Sequence, residues 1–92
     1  MSLDGTWAVW RTGGLLPPLA GVRKTISGDR GQTRLGPLPG LPFAVRDRAL
    51  HYRGPFSGFV DVLEPAGEGG GVLQGRATFR GRTFGRFTMR RI

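Results

Sequence analysis

The sequence predicts an all-β domain, a small antiparallel up-and-down β-barrel of about eight short strands. Three observations carry that expectation. Aromatic and β-branched residues recur in short runs along the whole chain, which a disordered chain would lack. Gly 17 and Pro 7 among 92 residues fall between those runs as turn punctuation. They also interrupt nearly every window of the roughly 10 residues that a stable helix needs. The length fits one domain, 1–92. A chain of this size buries a little over ~60% of the surface its unfolded form exposes, so its core is thin.

Strands are expected at Thr6–Thr12, Val22–Ser27, Gln32–Leu35, Phe43–Arg46, Ala49–Arg53, Ser57–Leu63, Val72–Arg80 and Thr83–Arg91. Gly13–Gly21 is too rich in proline for a central strand. Its Leu15, Leu16 and Leu19 suit a loop folded over one barrel end as a plug, or a lid at a pocket mouth or a subunit contact. Gly36–Pro42 reads as a rigid turn crossing a barrel end. Phe43–Arg53 allows two readings. Proline before it, glycine after it and the spacing of Val45, Ala49 and Tyr52 suit a helix. Two strands with a turn near Asp47-Arg48, and with Phe43, Val45, Leu50 and Tyr52 inward, are the favoured reading.

The C-terminal pair carries the clearest pattern. Leu73, Gly75, Ala77 and Phe79 alternate with Gln74, Arg76, Thr78 and Arg80, as in a strand with one apolar face. Gly81-Arg82 fits a two-residue turn that sets Phe79 opposite Phe84. Continued strictly, that register turns Phe87 to the polar face. A β-bulge at Gly85 corrects it, placing Ala77 opposite Phe87 and Gly75 opposite Met89.

The formal net charge of +8 favours acidic partners, nucleic acid included. However, Lys24 is the only lysine, and the thirteen arginines are dispersed along several segments, which equally describes a solvated outer face. With no cysteine, disulfides and thiolate chemistry are excluded. No run of roughly 18 apolar residues is present to span a membrane. No signal-peptide pattern opens the sequence, so a cytoplasmic location is expected.

Catalytic machinery is sparse, and a non-enzymatic protein without metal or other cofactor is expected. His51 is the lone histidine and alternates outward between Leu50 and Tyr52. Asp4, Asp29, Asp47, Asp61, Glu64 and Glu68 are the carboxylates, and most adjoin turn residues that such side chains cap. Asp61 differs, because Phe59–Leu63 is mostly apolar; a buried pair with an arginine is expected there, with a tuned acid as the sharper alternative. No cluster of metal-ligating residues is present. Gly69-Gly70-Gly71 precedes a strand rather than a helix, so it lacks the setting of a phosphate-binding loop.

Both ends of the chain resemble the calycin group of lipocalins, fatty-acid-binding proteins and their bacterial relatives. Gly5-Thr6-Trp7 is similar to the G-x-W of their first strand. Phe84-Gly85-Arg86-Phe87-Thr88-Met89-Arg90-Arg91 resembles their last strand, where an arginine packs across that tryptophan. The resemblance implies that Trp7 closes the barrel bottom beneath an arginine, with Arg91 the candidate and Arg90 disfavoured by its facing. It further implies a lumen that binds a small apolar molecule, lined by Trp10, Phe43, Tyr52, Phe79, Phe87 and Met89. The alternatives are a basic barrel that binds nucleic acid, and a structural domain that pairs as a homodimer. Alternation argues against nucleic acid, since it turns Phe79, Phe87 and Met89 away from the arginines, whereas stacking platforms set rings and cations on one wet face.

Overall fold

The computed structural model describes residues 3–16, 21–67 and 69–92. The expectations placed on Leu19 and Glu68 lie outside those residues. Among the described residues the chain forms eight strands: β1 (Gly5–Gly14), β2 (Val22–Ser27), β3 (Arg30–Leu35), β4 (Leu41–Arg46), β5 (Ala49–Tyr52), β6 (Phe59–Pro65), β7 (Val72–Phe79) and β8 (Arg82–Arg91). Each is antiparallel to the next, and β8 pairs with β1 to close an up-and-down barrel. This is the predicted fold class, and it is compatible with a calycin-like fold.

Phe43–Arg53 is two strands. Asp47 adopts the left-handed conformation (φ 55°) in a two-residue turn, and Phe43 faces Tyr52 while Val45 faces Leu50. All four side chains are buried or partly buried against the core. Period two wins because it puts four apolar residues inside, where the helical reading collects three. After β5, Pro55 sits in a single 3₁₀ turn over Gly54–Phe56, so β6 begins at Phe59 rather than Ser57.

The β7–β8 hairpin departs from expectation in register. Its turn is Arg80-Gly81, with positive φ at both residues (50° and 86°), the signature of a type I′ turn. Phe79 therefore faces Arg82, not Phe84. A bulge does occur, with Phe84 as the extra residue between the pairs Thr78–Thr83 and Ala77–Gly85. Beyond it Gly75 faces Phe87 and Leu73 faces Met89. The slip amounts to two residues, an even number, so Leu73, Ala77, Phe87 and Met89 keep their predicted inward face, whereas at the hairpin end Phe79 is exposed and Thr78 is buried. Packing explains the choice of register. A Cβ at residue 75 would overlap the Phe87 ring, so glycine opposite phenylalanine makes room that alanine would not.

The barrel has two unlike ends. At one, the buried side chains of Trp7, Ile26, Leu50, Leu63, Leu73 and Met89 pack into the lumen. Trp7 is fully buried and its indole Nε1–H donates to the Leu3 carbonyl at 2.9 Å. The Arg91 guanidinium lies 4.4 Å from the ring centroid and donates to the Asp4 carbonyl. Glycine suits this corner because residue 5 has φ 131°, a backbone conformation that residues with a Cβ rarely adopt. At the opposite end, reached by the β1–β2, β3–β4, β5–β6 and β7–β8 connections, the lumen is open.

Candidate ligand site

The open end leads into a cavity of about 250 Å³. Val9, Val22, Ala77 and Phe87 form its walls, each pointing inward by strict alternation on its strand. Leu16, Leu41, Phe56, Phe59 and Phe84 surround the mouth. Leu16 comes from the leucine loop and packs at Gly85, so the described part of that loop lies at the mouth, while Leu15 is exposed.

Among the described residues four polar side chains line the cavity: Lys24, Thr33, Tyr52 and Asp61. Lys24 is only 4% exposed and lies between Val22 and Ile26 on the inner face of β2. Its Nζ donates to Thr33 Oγ1 (2.7 Å), Tyr52 Oη (2.7 Å) and Asp61 Oδ2 (3.0 Å). Tyr52 Oη donates to Asp61 Oδ2 at 2.9 Å and shares a hydrogen bond with Thr33 Oγ1 at 2.7 Å. Register explains the convergence. Lys24 and Thr33 are direct cross-strand partners, and β2 and β6 stand four strands apart in the ring of eight. The Lys24–Asp61 ion pair therefore spans the lumen, forming a polar septum between the filled half and the empty half.

The septum is electrically balanced. Burial alone would lower the pKa of Lys24, but Asp61 and Tyr52 outweigh it and hold the ammonium above its ordinary value of 10.5. Burial pushes the Tyr52 phenol up, with Lys24 opposing and Asp61 reinforcing, so it stays neutral. Phe43, Tyr52 and Phe87 also present their rings to Lys24 Nζ at 5.4–5.8 Å.

Of the residues the sequence offered as ligand contacts, Tyr52 and Phe87 line the cavity. Trp7, Phe43 and Met89 belong to the filled end, and Arg91 stands outside it over Trp7. Trp10 points to the outer face, 39% exposed, with Arg90 at 5.8 Å from its ring. It follows inward-facing Val9 by one residue, so alternation turns it out. Phe79 reaches the rim, 41% exposed, against Phe59 (4.7 Å) and beside Arg80 (5.3 Å). These two rings do share a wet face with a cation, contrary to the expected separation of aromatics from arginines. Asp61 is buried and ion-paired as expected of the apolar segment around it, but with Lys24 in place of an arginine.

Sequence reasoning passed over Lys24, Thr33, Phe56 and Phe59. For Lys24 a signal existed, since Val22 and Ile26 inward require residue 24 inward as well. Comparison of the chain with protein-family models, with curated proteins and with solved structures finds no significant match.

Proposed function

We propose that this protein is a non-catalytic carrier that holds a small apolar molecule in the lumen of its barrel, as the calycin resemblance implies. One observation carries the reading. An eight-stranded barrel can be filled by its own side chains, yet here only the half around Trp7 is filled and the half above Lys24 is open. The open half has apolar walls, a single layer of polar groups and an aromatic mouth, the usual composition of a small-molecule site. The lysine in it is held protonated by Asp61 and Tyr52, which suits a structural brace and not a nucleophile.

Native mass spectrometry of the freshly purified protein tests this. The expected spectrum carries a small adduct on the protein mass that denaturation releases, and the same spectrum reports whether two copies pair. A bare mass, together with failure to enhance an environment-sensitive apolar dye, overturns the carrier reading. Attention would then pass to Trp10 and Arg90 on the outer face.

A further inference from the structure

A lysine at the bottom of an apolar pocket suggests a ligand with an acidic head. The hydrogen bonds say otherwise. With Lys24 as an ammonium, the septum owns five polar hydrogens: three on Nζ, one on Tyr52 and one on Thr33. It also contains five hydrogen bonds. Three are donated by Lys24 and one runs from Tyr52 to Asp61. Tyr52 has then spent its proton, so Thr33 must donate in the remaining bond between them. Every hydrogen is consumed.

What remains is accepting capacity. Both donors that reach Asp61 go to Oδ2, and among the described residues none engages Oδ1. Buried side-chain nitrogens and oxygens among those residues all have partners, so Oδ1 retains accessible surface. The open space that Asp61 borders is the cavity. Among the described residues the other lining side chains are hydrocarbon and offer no donor.

We infer that the site takes an apolar molecule whose buried end is a hydrogen-bond donor, a hydroxyl or an ammonium, bound at Asp61 Oδ1, and that it rejects carboxylates. This inference rests on the carrier reading and specifies its ligand class. A carboxylate at the septum would face a second carboxylate and find no free hydrogen, leaving a buried charge without a partner. A donor head completes the half-used carboxylate.

The test is calorimetric titration of the wild-type protein with four probes of one chain length: a linear primary alcohol, the primary amine, the methyl ether and the carboxylate. The alcohol and the amine are expected to bind about tenfold or more tighter than the ether, since a hydrogen bond to a charged group adds that much. The carboxylate is expected to be weakest. Equal affinity for alcohol and ether, or preference for the carboxylate, overturns the head-group assignment while the carrier reading stands. Absence of binding by all four overturns both. Tyr52→Phe provides an independent arm, because losing the phenol oxygen frees one Lys24 hydrogen and the Thr33 hydroxyl. In that variant carboxylate affinity should rise about tenfold relative to the alcohol, and an unchanged ranking counts against the assignment.

Discussion

Lys24 and Asp61 show why one residue of a buried pair cannot be judged alone. Each is costly to desolvate, and each is tolerated because the other stands 3.0 Å away, with Thr33 and Tyr52 taking the other two hydrogens of Lys24 and Tyr52 donating to the Asp61 oxygen that faces it. Lys24→Met strands the carboxylate and Asp61→Leu strands the ammonium, so either single change should cost about 3–5 kcal/mol in urea denaturation. The double variant removes both charges and should recover most of that loss. Additive losses in the double variant would show that the two do not act as a pair. Lysine suits this position better than arginine, because a compact ammonium satisfies three converging oxygens where a planar fork would not fit. The inward direction of Lys24 was legible from alternation. Its partner was not, since the two are 37 residues apart and no local pattern links β2 to β6.

Among the elements, the β7–β8 hairpin is where sequence logic and structure diverge most informatively. Alternation gave the facing of Leu73, Ala77, Phe87 and Met89 correctly, because burial of one sheet face is a strong constraint. It did not fix the turn, because Gly81 serves a two-residue turn as either first or second central residue. The bulge restored the pattern near the expected place, at Phe84 instead of Gly85. Gly75 is the position that locks the final register. Gly75→Ala should overpack against Phe87 and destabilise the barrel by about 1–3 kcal/mol, read as a lowered urea midpoint with unchanged slope. A neutral result would mean that Phe87 yields freely. The cavity itself was the least legible feature. Period two tells which residues point inward, but not how far along the lumen their side chains meet, so Trp7, Phe43 and Met89 were indistinguishable from Phe87.

For the whole molecule, the arginine-rich composition has a useful outcome. Arginine does not titrate in proteins, cysteine is absent, and Lys24 and Tyr52 are the only lysine and the only tyrosine. Alkaline titration of the side chains thus reports the septum alone. Folding raises both groups above their ordinary values of 10.5 and 10.0, so above about pH 10 the folded state holds more protons than the unfolded chain. Stability from this source is complete below that range and is lost as pH climbs through the raised values. Unfolding free energy should accordingly be flat from neutrality to about pH 9.5 and fall beyond it, and fall less in the Lys24→Met/Asp61→Leu variant. A flat profile to pH 12 would contradict the septum. The closing contact between the first and last strands has a consequence for how the chain reaches this state. Seven of the eight strand pairings join neighbours in sequence, whereas β1–β8 joins residues such as Thr6 and Ile92, whose backbones are 2.9 Å apart. The barrel is therefore a ring with one cut in it, and the cut determines which seam is slow to close. Linking the ends and reopening the chain in the β3–β4 connection, at the exposed residues 36–39, would turn the Trp7–Arg91 clasp into a local contact. The late, long-range step of folding would pass to β3 and β4 with the finished barrel unchanged.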